Sequence, residues 1–296
     1  LENLVTLAGI CGARRHTYPA VFKQNRLLMA SHRRLGFDAP VTQDGKNMPN
    51  TVLQVADRPL GQAVATHSWW DADADCTLVM SHPSADPELW HEYLRGADRS
   101  YRKHGVQSAL DIDEISDGHD TALFWAALDR TGRVIGGVRA IGPLTGADDS
   151  HAVVEWAGQP GLASVRKMID DRVPFGVLEM KTAFVTDDAD KSRRVTRVLA
   201  RTAFHAMAAL ELQFCMATSA AHVLDKWRSS GGVVASIPAT PYPDSRYQTK
   251  MMWWDRNTFI RHAEPTQVSK IITEVLDLQR AWPADHALAA VHDDAL

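Results

Sequence analysis

The spacing of hydrophobic positions becomes regular near residue 76. The apolar run Thr77 to Met80 (TLVM), just after Cys76, predicts a strand. Ser84, Asp86 and Pro87 then open a helix over Glu88 to His104. In it Leu89, Trp90, Tyr93, Leu94, Ala97 and Tyr101 recur at spacings of three and four, and Gly105 ends it. The runs Ala122 to Leu128 and Arg133 to Ile141 flank Asp129-Arg130-Thr131-Gly132, a hairpin signal that predicts two antiparallel strands. A short helix, Ser164 to Asp171, leads to the strand Gly176 to Val185 (GVLEMKTAFV) and a long helix from Ser192 to Leu212. The strand Phe214 to Thr218, a helix Ser219 to Ser229 ended by Gly231-Gly232, a strand Met251 to Trp254 and a helix Val268 to Ala281 complete the series. A hairpin inside this order predicts an α/β (α+β) fold with a mixed, largely antiparallel twisted sheet and helices on both faces. Rossmann alternation does not fit it.

Residues 1–75 read differently. A basic helical pattern, Ala20 to Leu35, runs into the Gly/Pro/Asn/Asp-rich stretch Gly36 to Pro49, which breaks any helix. Thr51 to Ala56 follows as a short strand or helix start, then Trp69-Trp70 in an acidic setting. The expected division is an N-terminal extension over 1–75 and a main domain with a C-terminal helix over 76–296.

Composition narrows the function classes. Three cysteines in 296 residues exclude a disulfide scaffold and fit a reducing compartment, and a net charge of −4 implies no nucleic-acid partner. Apolar runs such as Ala206 to Leu210 fall far short of the ~20 residues of a membrane span, and no basic-then-apolar leader opens the chain, so the expected location is cytoplasmic. Nine tryptophans beside five tyrosines suggest a cleft with rigid apolar walls.

Several familiar chemistries lack their spacing. None of the 13 histidines stands in H-x-x-x-H or H-E-x-x-H, and Cys11, Cys76 and Cys215 form no C-x-x-C, so no metal site is expected. There is no G-x-S-x-G, G-x-G-x-x-G or Walker A motif. The acidic segment Asp111 to Asp120 reads as a solvated loop, or as a turn on which Glu114 and Asp117 hold an amine or guanidinium. Arg139, inside the apolar strand Val134 to Ile141, needs a carboxylate partner, and that segment is the natural source. Glu179 sits among Val177, Leu178 and Met180, either at a cleft or protonated by burial; structural ion pairs account equally well for both residues. Lys191, Arg193, Arg194, Arg197 and Arg201 at the start of the long helix read as a solvated face or as a site for an anion or acidic protein.

Taken together, residues from about 85 to 255 resemble the GNAT N-acyltransferases, and more closely the acyl-homoserine-lactone synthases and related N-acyl amino acid synthases. The features that carry the resemblance are the helix with Leu94-Arg95 and Tyr101, the pair Glu114 and Asp117 followed by Thr121, the strand end Gly137-Val138-Arg139, Glu179 with Phe184-Val185, and the elements leading to Trp227 and Gly231-Gly232. Two departures refine it. The fourth place of the quorum-signal E-x-x-R is Thr182, with Lys181 beside it, which favours an N-acyl amino acid synthase over homoserine-lactone chemistry. Where GNATs carry a pyrophosphate loop, this chain has Asp187 to Arg194, which favours an acyl carrier protein over coenzyme A as donor.

The resemblance implies transfer of a fatty acyl group from an acyl-ACP or acyl-CoA thioester to the amine of an amino acid or similar small molecule, with no permanently bound cofactor. Glu179 would accept the amine proton, and backbone N–H groups near Phe184 and Val185 would hold the oxyanion. Glu114 and Asp117, held by Arg139 and Arg95, would order the acceptor. Trp125, Phe124 and Trp156 would wall an acyl tunnel, while Lys191, Arg193, Arg194 and Arg197 would meet the acidic carrier. The alternatives are a short-chain acyl-CoA-dependent GNAT and a non-catalytic GNAT-like module that binds a lipid or a partner.

Overall fold

A computed structural model of the chain describes residues 66–281. The expectations for Ala20 to Leu35, Gly36 to Pro49 and Thr51 to Ala56 lie outside them. The strands are β1 (His67–Asp71), β2 (Cys76–Ser81), β3 (Thr121–Leu128), β4 (Val134–Ile141), β5 (Val177–Val185), β6 (Phe214–Ala220), β7 (Val233–Val234) and β8 (Thr249–Asp255). They form one sheet in the order β1-β2-β3-β4-β5-β6-β8-β7. Every neighbouring pair is antiparallel except β5–β6, which is parallel. This is the mixed, largely antiparallel sheet expected from the sequence. It begins at His67, so Trp69 and Trp70 stand on an edge strand: Trp69 stacks on His205 at 4.4 Å, and Trp70 is exposed under Arg130.

The helices are α1 (Pro87–Lys103), α2 (Ile112–Ile115), α3 (His151–Glu155), α4 (Leu162–Asp170), α5 (Ala189–Leu199), α6 (Thr202–Ala209), α7 (Leu224–Arg228) and α8 (Pro265–Ala281). In α1 the Asp86 carboxylate accepts from Leu89 N at 3.0 Å, Pro87 occupies the first turn, and Arg102 and Lys103 face the negative end of the dipole. Its buried stripe is Trp90, Tyr93, Leu94, Ala97 and Tyr101. The expected single helix from Ser192 to Leu212 is instead α5 and α6. α5 keeps a polar, basic face, whereas α6 is buried nearly all round, so one straight rod would not place both. The expected helix from Ser219 is shortened to α7, because Ser219 and Ala220 continue β6 by pairing with Lys250 and Thr249.

Alternation along the strands divides the core between the two faces. On one face Leu78, Trp125, Val138, Met180, Val185 and Cys215 pack with α5, α6 and α8. On the other, Phe124 and Phe184 pack under α1, while Val177, Met216 and Trp253 pack under α3 and α4. Charged side chains lie between these two apolar groups of the second face.

Candidate functional site

The parallel ladder between β5 and β6 runs only from Val177↔Phe214 to Met180↔Ala217. Beyond it β6 continues against β8, while β5 continues against β4, so the two strands part. The β4–β5 register slips between Gly137 and Arg139: the three residues of β4 over this span face the four from Lys181 to Phe184 of β5, and Thr182 takes the extra position at φ 54°. A β-branched residue in the left-handed region is strained, on the order of 1–3 kcal/mol. Two buried contacts hold it: Arg139 Nε donates to Thr182 Oγ1 at 3.2 Å, and the Tyr93 hydroxyl donates to the Thr182 carbonyl at 2.8 Å. A cavity of about 10 Å³ lies at this parting on the α5 side, lined by Val138, Met180, Ala203, Trp227 and Trp254 among others.

On the opposite face, period two brings Glu179 and Lys181 together, and α3 is laid across them. Lys181 Nζ donates to Glu155 Oε1 at 3.0 Å and lies 3.6 Å from Glu179 Oε1. Glu179 Oε2 accepts the backbone N–H of His151 at 2.9 Å, and His151 Nδ1 is 3.1 Å from Glu155 Oε1. Thr218 of β6 donates to the same oxygen at 2.8 Å. Glu155, Glu179 and Lys181 are buried at 0–1% exposure, and His151 at 10%. Burial pushes the Glu155 carboxyl up, but the Lys181 ammonium and the His151 and Thr218 hydrogen bonds outweigh it and hold its pKa below the usual range. Burial and then Lys181 hold the His151 imidazole below its ordinary value, against the pull of Glu155. Glu179 Oε1, Glu155 Oε2 and His151 Nε2 are all buried without a hydrogen-bond partner among the described residues. Such atoms are costly when unpaired, and their gathering marks this cluster as a place for a hydrogen-bond donor.

Each residue singled out from the sequence has a definite place. Arg139 is buried, and its partner is Asp120 of the acidic segment, Nη1 to Oδ1 at 2.6 Å, with Thr121 Oγ1 at 2.9 Å. Glu114 and Asp117 are not brought to it. Glu114 belongs to the one-turn helix α2 capped by Asp111, and exposed Asp117 takes the His119 N–H and ring, so both serve the loop. Arg95 pairs with Glu92 at 3.6 Å on the outer side of α1. Phe124, Trp125 and Trp156, expected to wall an acyl tunnel, are not brought together among the described residues. Phe124 and Trp125 are adjacent in β3 and point to opposite faces, and Trp156 packs with α4 while its Nε1 donates to the Pro238 carbonyl. Phe184 and Val185 also part to opposite faces, beyond the bulge.

Along α5, Arg193 pairs with Asp190 and Arg197 forks onto Glu264 at 2.6 and 3.1 Å. Lys191 is half-buried and Arg194 exposed. Arg201, beyond the helix break, is buried between Asp71 and Glu274 at 2.7 Å from each. Arg194, Arg197 and Arg201 line a cavity of about 90 Å³ with Asp71, Asp73 and Lys270.

Sequence reasoning missed His151, Glu155 and Thr218. The available signal was the i, i+4 pair in the run HAVVE, which puts imidazole and carboxylate on one side of a single turn. Among the described residues no group of His, Cys, Asp and Glu has metal-holding geometry, and no helix is long and apolar enough to cross a membrane.

No family model matches the chain. Uncharacterized proteins of Mycobacterium bovis and Mycobacterium tuberculosis are 58% identical over 224 residues, covering 75% of this chain and 85% of theirs. Among solved structures, FeeM, an N-acyl amino acid synthase from uncultured soil microbes, is similar with a TM-score of 0.48 at 12% identity, over 65% of this chain and 97% of that one. The CoA-dependent acyl-homoserine lactone synthase BjaI gives 0.44 at 16%, over 66% and 87%. A GNAT phosphinothricin acetyltransferase of Sinorhizobium meliloti gives 0.41 at 14%, over 61% and 88%.

Proposed function

The chain belongs to the family of these uncharacterized mycobacterial proteins, and from its site we propose that it is an N-acyltransferase, moving an acyl group from a phosphopantetheine thioester to the amine of a small molecule. The observation that carries the reading is the buried Glu179–Lys181–Glu155–His151 cluster, placed where β5 parts from β6 and presenting open hydrogen-bond acceptors. An amine attacking a thioester needs acceptors for its N–H groups, a base for one proton, and donors for the oxyanion. Glu179 and Glu155 supply the first, as the open oxygens of a cluster in which two carboxylates outnumber one ammonium. The oxyanion donors are assigned to the backbone beyond the Thr182 bulge, near Phe184 and Val185, where β5 no longer pairs with β6. Arg139 and Tyr93 hold that bulge in shape.

The donor is read as acyl-ACP. Carrier proteins are acidic, and α5 offers Lys191 and the exposed Arg194 beside the Arg197–Glu264 pair. Incubation with long-chain acyl-ACP, long-chain acyl-CoA or acetyl-CoA and a pool of amino acids, followed by mass spectrometry, tests the reading. Amide formed from acyl-ACP supports it in full. Amide formed only from a CoA thioester keeps N-acyl transfer and rejects the carrier. No amide from any donor rejects N-acyl transfer in favour of a binding module.

A further inference from the structure

We propose that His151 Nε2 is the proton acceptor of this site and that Glu155 is the residue that fixes its ring, an inference that rests on the acyl-transfer reading above. His151 and Glu155 stand four residues apart on α3, so one helical turn sets Nδ1 3.1 Å from Glu155 Oε1. That oxygen belongs to a buried carboxylate that also receives Lys181 Nζ and Thr218 Oγ1. A bare ring nitrogen facing it would set lone pair against lone pair. The favourable arrangement is an Nδ1–H that donates to the carboxylate. Lys181 Nζ lies 3.3 Å from the same nitrogen and favours the opposite tautomer, but its nearer neighbour, at 3.0 Å, is the charged Glu155 oxygen. With the proton on Nδ1, the lone pair is on Nε2, which is buried and has no hydrogen-bond partner among the described residues.

The other groups facing the imidazole are Glu179 and Lys181 from β5 and Tyr242, whose ring meets it edge-on at 5.9 Å. Burial and Lys181 keep the imidazole in its neutral, proton-accepting form at neutral pH. Glu179 is engaged differently, with one oxygen on the His151 backbone N–H and the other toward Lys181, and it is left to bind the amine. In the reaction the neutral amine nitrogen bonds to the thioester carbon as the C=O electron pair moves to oxygen, and an amine proton passes to Nε2. Collapse of the tetrahedral intermediate breaks the C–S bond, and the leaving thiolate takes the proton back from the imidazolium. The products are an amide and a thiol.

Two measurements test this. Nitrogen-15 NMR of wild-type protein at pH 7.5 is expected to show Nδ1 protonated and Nε2 bare, and a protonated Nε2 overturns the proposal. With whichever thioester the wild type uses, His151→Gln is expected to lower kcat about 100-fold with the amine KM within about threefold. It also removes the acidic limb of the kcat profile, which in wild type lies below the ordinary imidazole range because burial and Lys181 lower the His151 value. Glu155→Gln acts through the ring: kcat falls about tenfold and the Nδ1–H tautomer is lost from the spectrum. A folded His151→Gln protein with kcat within about threefold of wild type and its acidic limb intact overturns the proposal. Wild type that forms no amide from any thioester overturns the acyl-transfer reading, and this inference with it. If the variant does not fold, the wild-type tautomer decides.

Discussion

Lys181 holds two buried carboxylates together, and replacing it with methionine isolates that role. At 3.0 Å from Glu155 and 3.6 Å from Glu179, its ammonium neutralises one of the two charges. Without it the folded protein must keep two unscreened carboxylates or take up a proton, and protonation sets the upper limit of the cost. For a carboxyl of ordinary pKa, about 4.3, binding a proton at pH 7 costs about 3.7 kcal/mol, within the range of about 3–5 kcal/mol for breaking a buried pair. The sign of the pH dependence follows. In wild type the pKa of Glu155 is held down, so its contribution is present above about pH 4.3 and is lost as pH falls through the folded value. In Lys181→Met one carboxyl has a raised pKa. Its contribution is full below about 4.3 and is lost as pH rises, by about 1.4 kcal/mol per unit. Urea denaturation between pH 5 and 8 is therefore expected to show a gap of about 1 kcal/mol at pH 5 that widens to about 3–4 at pH 7. A gap below about 1 kcal/mol at pH 7, or one that does not change with pH, refutes the ion-pair account.

Three further outcomes follow from the geometry. Glu179→Gln, which removes a charge that receives the amine, is expected to raise the amine KM about tenfold or more while kcat falls less, the reverse of His151→Gln in steady-state kinetics. Gly96→Ala would set a methyl group into the Phe184 ring, which packs against the bare Cα of α1, and is expected to cost about 1–3 kcal/mol by thermal or chemical denaturation. Arg201→Met leaves Asp71 and Glu274 buried without their guanidinium and is expected to cost about 3–5 kcal/mol in the same assay, loosening α8 from β1.

The legible parts of this fold were those whose signals are local. Capping at Asp86 and the three-and-four spacing of Trp90, Tyr93 and Tyr101 gave α1 nearly to the residue, and Asp129 to Gly132 gave the hairpin. Arg139 within an apolar strand was a valid demand for a partner, and the acidic segment supplied it, through Asp120 and not through the better-spaced Glu114 and Asp117. Asp120 immediately precedes β3, the strand paired with β4, whereas Glu114 and Asp117 lie a turn away. What stayed hidden depends on distance in sequence. α3 is one turn long, too short for periodicity, and it matters only because the loop after β4 returns it onto β5, where His151 meets residues 28 and 30 positions away. The basic stripe extended one residue too far because its regular spacing assumed an unbroken helix, which ends before Arg201.

The bulge at Thr182 ties these features together. On a strict period of two, Val177, Glu179, Lys181, Ala183 and Val185 would share one face of β5, with Phe184 on the other. The observed strand keeps that order through Lys181. The extra residue then reverses it, so that Ala183 and Val185 join Leu178 and Met180, and Phe184 crosses to the side of Glu179 and packs on Tyr93 and Gly96. One face thus carries charge before the bulge and an aromatic ring after it. A bulge also bends and twists its strand, and β5 loses its ladder to β6 at Met180, two residues before Thr182. The strain at Thr182 and the parting of the strands therefore have one origin, and the contacts that stabilise the strained residue come from Tyr93 on α1 and Arg139 on β4. A regular β5 would keep the pairing with β6 and turn Phe184 toward α5, closing the backbone edge to which the oxyanion is assigned.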